Sequence, residues 1–314
     1  MNIQRNIMDV AFWAGYLKGN WAKGVTNLEY IMQTPSTART FIENRHGLQL
    51  VYGVVDRNSQ QLIEVLAQYG WEEQAITTYL NHLMNWNFVD TNAIAASSMA
   101  MATIATNTTA AIAITRSPTA MTAVAASSTA MTAIATSTIA MTAVAASSTA
   151  AIAIAQSPTA MTAVVASSTA MTALAASSIA MGSIAASPTA MAAIAASSTA
   201  MTAAAESVVA RTAIEGNITA INAINSARTS GQQFTTTAAN GMLIPGFYWV
   251  RTVRGGIDSG GNSWRNVTWT GIFSGNAVSG GTEVTVNRFA HNLSWDAGGT
   301  MHNSNRAFAR VSTW

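Results

Sequence analysis

The sequence predicts an elongated α+β chain in three parts: an N-terminal mainly α domain, a shaft of short helices repeating every ten residues, and a small C-terminal antiparallel β domain. Three observations lead there. Residues 157–186 read SPTAMTAVVA, SSTAMTALAA and SSIAMGSIAA, one decad after another in unbroken phase. Charged residues make up only 9% of the chain, against about 25% in ordinary globular proteins, and none falls between Ser117 and Ala205. After residue 231 the composition changes again, to β-favouring runs separated by glycine-rich turns.

Residues 1–90 carry ordinary globular signals. The stretch NSQQLIEVLAQYG has a capping residue at Asn58, Gln61 three residues on and a stop at Gly70, with Leu62, Ile63, Leu66 and Tyr69 on one helical face. A second helix is expected through WEEQAITTYLNHLMNW, a short strand through GLQLVYGVVD and a short helix through STARTFIEN. About 90 residues suffice for a modest core. Phe12, Trp13, Tyr16, Trp21 and Tyr30 serve either that core or a docking surface. His82, between Tyr79 and Trp86, reads as a packed or solvent-facing residue rather than a ligand.

In residues 91–226 the last digit of the residue number labels a column of the repeat. The column ending in 0 is alanine from Ala100 to Ala220, the column ending in 1 is chiefly Met, and the column ending in 4 is Ile, Val, Leu or Ala. Spacings of 0, 1 and 4 put the three columns on one helical face, where alanine lets a second backbone approach. The column ending in 7 is Ser or Asn from Ser97 to Asn217, and proline occurs in the repeat only in the next column, at Pro118, Pro158 and Pro188. Ser or Asn followed by Pro marks a helix start, since the side-chain oxygen accepts from an otherwise unpaired amide and Pro fits the first helical position. Each decad therefore reads as one short capped helix.

Two other arrangements stay open at this stage. A continuous supercoiled helix would carry its seam about 80° off per decad and would bury proline at about 3 kcal/mol each time. A β-solenoid would use the likeness of the pentads TAVAA and SSTAM, although alanine is a poor strand former. In every case a two-turn unit with so few bulky side chains must stack on other decads or on other chains. A single-chain solenoid of such composition would be thinly packed, so a homotrimeric rod with closed cyclic symmetry is expected.

The run STAMTAVAASSTAMTAIA resembles the Ala-, Ser- and Met-rich decads of tail-fibre and appendage proteins of tailed bacteriophages, over about two-fifths of the chain. The resemblance implies an N-terminal virion-attachment region over 1–90 that contacts other virion proteins, a homotrimeric shaft over 91–226 and a receptor-binding tip over 227–314. It places the chain in a virion assembled in a host cytoplasm, as a tail, capsid or collar fibre.

The tip reads as a small antiparallel β domain built from YWVRTVR, SWRNVTWTGIF, GTEVTVNRF and RAFARVSTW. Trp264, Trp269 and Trp295 are candidates to stack on sugar faces, with Arg265, Asn262, Asn266 and Asn292 as hydrogen-bonding partners. Arg251, Arg254 and Arg288 are suited to phosphate or acid groups of a surface glycan. Each aromatic also has a plain reading as core. The terminal Trp314 is expected to fray unless a sheet or an intersubunit contact ties it down.

Other functions find little footing. Asp258, Glu283 and Asp296 are isolated in sequence, whereas a glycosidase needs two carboxylates at the scissile bond. His291, His302 and Asp296 lack a recognised metal spacing, and GGIDSGGNSW opens no helix, so no enzyme, metal or cofactor is expected. With no cysteine there is no thiolate chemistry, and a net charge of +2 argues for no nucleic-acid partner. Ser and Thr interrupt every apolar run, so no membrane insertion is expected, and the opening MNIQRNIMDVAFW lacks the apolar core of an export signal. The alternative reading is a non-viral repeat protein, such as a surface adhesin or an ice-binding protein with regular Thr-Ala faces.

Overall fold

The computed structural model describes Gln33, Tyr52, residues 59–227, strand residues 232–235, 243–254, 256–257, 263–265, 267–270, 275–276, 283–295 and 308–312, and Trp314. Sixteen helices are described: α1 (Ser59–Gln68), α2 (Glu72–Met84), α3 (Thr91–Ala96), α4 (Ser98–Thr106), α5 (Thr108–Arg116), α6 (Pro118–Ala126), α7 (Ser128–Ala135), α8 (Thr138–Ala145), α9 (Ser148–Gln156), α10 (Pro158–Ala166), α11 (Ser168–Ala175), α12 (Ser178–Ala185), α13 (Pro188–Ala196), α14 (Ser198–Glu206), α15 (Val208–Glu215) and α16 (Ile218–Ala227). Eight strands follow: β1 (Gln232–Thr235), β2 (Leu243–Arg254), β3 (Gly256–Ile257), β4 (Ser263–Arg265), β5 (Val267–Thr270), β6 (Gly275–Asn276), β7 (Glu283–Trp295) and β8 (Phe308–Ser312). The chain divides into two compact units, 1–153 and 154–314.

The decads are segmented short helices, which removes both the continuous helix and the β-solenoid. Ser127 shows how one residue makes each break. It is extended, at φ −96° and ψ 115°, while its neighbours on both sides are helical. Its amide donates to the Val124 carbonyl at 3.1 Å, and its own carbonyl accepts from Met131 at 2.9 Å. Its hydroxyl oxygen accepts from the Ala130 amide at 3.2 Å, which is the cap expected of this column. Proline stands at the first helical turn of α6, α10 and α13, where its missing amide costs nothing. Consecutive helices turn sharply, by 100° between α7 and α8 and by 101° between α11 and α12.

With bends of that size, helices within each unit come to lie against their third neighbours. In the first unit α6 packs on α3, α7 on α4 and α8 on α5; in the second α13 packs on α10, α14 on α11, α15 on α12 and α16 on α13. The Ser127 hydroxyl completes this stacking by donating to the Ala95 carbonyl, 32 residues earlier, at 2.7 Å. The same bond recurs from Ser147 to Thr115 at 2.5 Å, from Ser187 to Ala155 at 2.6 Å, and from Ser197 to Val165 at 2.8 Å. A hydroxyl suits the position because it accepts and donates at once.

The core consists of the columns ending in 0, 1 and 4, as expected, together with the column ending in 5, which the spacing argument omitted. Met121, Met131 and Met141 are fully buried, and Ala100, Ala110 and Ala130 allow the stacked backbones their close approach. These faces are covered inside one chain. Thin packing was the reason to expect further copies, and it does not hold: the third-neighbour helix supplies the partner surface. Columns 2, 6, 8 and 9 face outward for most of the run and carry mainly Thr, Ala, Ser and Pro.

Ahead of the decads, α1 ends as expected at Gly70, whose φ of +83° lets the Trp71 amide return to the Leu66 carbonyl at 3.0 Å. The second expected helix forms as α2 and stops at Asn85, a left-handed residue at φ 55°. Within the strand expected over 47–56, Tyr52 is helical instead. Its buried ring packs against Tyr79 at 5.2 Å and its hydroxyl donates to the Ala75 carbonyl at 2.9 Å, so a tertiary contact overrides the local β preference. His82 is exposed. Phe12, Trp13, Tyr16, Trp21, Tyr30 and the helix expected through STARTFIEN lie outside the described residues.

The first turn of decads needs something to replace the missing preceding turn. Glu72, at the start of α2, fills that role: its carboxylate accepts from the Ser117 hydroxyl and, at 2.7 Å, from the Thr119 hydroxyl. Ser117 still caps α6 through the Ala120 amide at 3.1 Å. An open groove of about 600 Å³ lies beside this junction, walled by α1, the ends of α5 and α8 and the start of α9.

Candidate functional site

Among the described residues the C-terminal strands form a six-stranded sheet in the order β1-β8-β2-β7-β5-β6, with β3 and β4 as a separate pair. All of its described pairings are antiparallel. Long strands β2 and β7 form its centre, where Trp249, Val250, Val253, Phe289 and Ala290 are buried.

Three of the six candidate ligand residues come together on one ladder. The β5–β7 register sets Trp269 opposite Leu293, Thr270 opposite Asn292 and Val267 opposite Trp295. That register puts Trp269 and Trp295 on one face of two adjacent strands and Asn292 on the other. Trp264 and Arg265 belong to the separate β3–β4 pair, where Arg265 pairs with Gly256. Arg288 sits farther along β7, opposite Val250, and its charge acts on Glu215. Arg251 also turns toward the decads, donating to the Asn225 carbonyl at 2.8 Å, and burial lowers its pKa. Asp258, Asp296, Asn262, Asn266 and His302 lie outside the described residues. Among the described residues no group of three or more His, Asp or Glu is placed to hold a metal ion.

A second cluster, absent from the sequence reading, joins this sheet to the last decads. The column ending in 5 is Ala, Val or Thr in earlier decads and becomes Glu215 and Asn225 in α15 and α16. Both side chains reach the sheet. Glu215 Oε1 accepts from the Phe289 amide at 2.8 Å. Asn225 Oδ1 accepts from Trp249 Nε1 at 2.9 Å, and its Nδ2 donates to Asn287 Oδ1 at 3.1 Å. Asn287 is itself left-handed, at φ 49°. In the Met column Arg211 replaces Met and donates to the Ala205 carbonyl. Trp314 does not fray: its Nε1 donates to Thr202 Oγ1 at 3.0 Å and its ring meets Phe289 edge-on at 6.0 Å.

By register the ladder sets two tryptophans on one face of adjacent strands, while the junction is a polar seal over an apolar stack. Burial outweighs the other influences on Glu215 and raises its pKa; the Phe289 amide, Arg288 and Arg211 pull it the other way. The signal for the junction was available in the sequence as a loss of column identity, Ala to Glu215 and Asn225, and Met to Arg211. Comparison of the chain with protein-family models and with curated proteins gives no match.

Proposed function

We propose that the chain is a structural fibre of a phage virion, attached through residues 1–90 and binding a host-surface ligand, a glycan, with its C-terminal tip. One observation carries this reading. Within each unit, decads close their core on the helix three places away, so added decads extend the stack while repeating mainly small, uncharged outward positions. That is what a spacer needs. Distinct side-chain chemistry appears in sequence before and after the decads, at Glu72 and in the strands after residue 231. The likeness of the decads to those of phage fibres supports the virion setting.

Within the proposal the tip binds by stacking and hydrogen bonding and carries out no reaction. Trp269 and Trp295, on one face of the β5–β7 ladder, supply rings, and Trp264 with Arg265 a further aromatic and a cation from the β3–β4 pair, while Asn292 falls on the other face of the ladder. The fibre is proposed as a homotrimer on symmetry alone, with its copies joined outside the shaft core.

The test uses the full-length protein on bacterial cells and on extracted surface glycan. A Trp269→Ala, Trp295→Ala double variant is expected to lose binding while its helical circular dichroism and elongated particles in negative stain are retained. Undiminished binding by a folded double variant removes the ladder as the recognition site, and compact particles remove the fibre.

A further inference from the structure

We infer that Glu215 is a pH-sensitive latch between the last decads and β7, holding the sheet more tightly when its carboxyl is protonated than when it is ionised. The inference does not depend on the proposed function, because it concerns how the sheet is held and not what it binds.

Its basis is the geometry of the junction. Glu215 is the last residue of α15, and α15 packs against α12, α14, α16 and β7. Its Oε1 takes the Phe289 amide, a group in the centre of the sheet, and Phe289 in turn touches both Trp249 and Trp314. Its Oε2 is buried without a hydrogen-bond partner among the described residues. The charged groups facing it are Arg211 from its own helix and Arg288 from β7. Arg211 is engaged with the Ala205 carbonyl. Glu206 on α14 is exposed, and α12 and α16 contribute no charged side chain.

An ionised carboxylate in this position loses hydration that the two arginines do not restore, so its proton is held more firmly in the docked state than in the open one. The resulting stabilisation is complete below the ordinary value of 4.5 and is lost as pH rises through the docked-state value. The opening constant of the junction therefore increases with pH across that window, by about tenfold for each unit separating the two pKa values. The Oε1 bond to Phe289 is available in both protonation states, so the latch loosens without a change of partner.

Amide hydrogen exchange of Phe289 in the full-length protein reads the latch directly. After correction for intrinsic base catalysis, protection is expected to fall with rising pH in the wild type and to stay level in Glu215→Gln, which keeps the acceptor and removes the charge. Arg211→Met restores the residue usual in that column, removes a cation favouring the ionised form, and is expected to move the wild-type midpoint upward. An identical pH profile in wild type and Glu215→Gln overturns the inference. So does protection in the wild type that rises with pH, or a midpoint that moves downward in Arg211→Met.

Discussion

The hydroxyl of Ser127 donates to the carbonyl of Ala95, 2.7 Å away and 32 residues earlier. The same oxygen accepts the amide of Ala130 at 3.2 Å. One side chain therefore starts its own helix and fastens that helix to the one beneath it. The bond joins the column ending in 7 to the column ending in 5, two places beyond three full decads.

Removing that hydroxyl is expected to cost more than an ordinary cap. Ser127→Ala loses a capping acceptor worth about 1 kcal/mol and leaves the Ala95 carbonyl without its donor, for a total of about 2–3 kcal/mol by chemical denaturation. The adjacent Ser128→Ala, at an exposed position, is expected to change stability by less than about 0.5 kcal/mol. Equal effects from the two variants would show that the stacking bond contributes nothing.

Proline separates the columns more sharply. Ser128 and Ser168 occupy the first helical position that Pro118, Pro158 and Pro188 hold elsewhere, so Ser128→Pro and Ser168→Pro should melt close to the wild type. Ala123→Pro and Ala173→Pro fall inside α6 and α11 and should cost about 3 kcal/mol or more. Comparable losses in both pairs would mean that the helix starts are misplaced.

Deletion tests the stacking as a lattice. Removing residues 158–187 joins Ser157 to Pro188, keeps every column in phase and removes three whole decads. The protein should still unfold cooperatively, since each decad depends on near neighbours alone. Removing 158–172 leaves only Ala173–Ala176 between Ser157 and Ser177, too short for a capped two-turn helix. That variant should lose helical signal beyond the residues removed, as measured by circular dichroism.

Much of this was legible in the residues, for reasons that differ by column. Ser or Asn before Pro specifies a helix start through local hydrogen bonding, and the 0, 1, 4 spacing specifies a face; both are properties of one helix. Which helix covers that face is not, because it depends on the bend at the extended residue, and that bend leaves no mark in composition. Column 5 was passed over because alanine looks alike on a buried stack and on an exposed surface. Its importance appears only where it ceases to be small, at Glu215 and Asn225. At Tyr52 a β-favouring run was outweighed by a buried ring contact and one hydrogen bond. In the C-terminal sheet, the strands were legible from β-favouring runs between glycine-rich turns. The register that sets Trp269 and Trp295 on one face was not, since pairing partners lie far apart in sequence.

The central claim is that the decads pack on their third neighbours within one chain. Ile104 on α4 and Ile134 on α7 are buried on two such stacked helices. Isotope-filtered methyl NOE spectroscopy on a mixture of labelled and unlabelled copies distinguishes contacts within a chain from contacts between chains. The expected result is an Ile104–Ile134 NOE between methyls of the same copy, with no counterpart in the intermolecular spectrum. An Ile104–Ile134 contact seen only between copies would contradict the account.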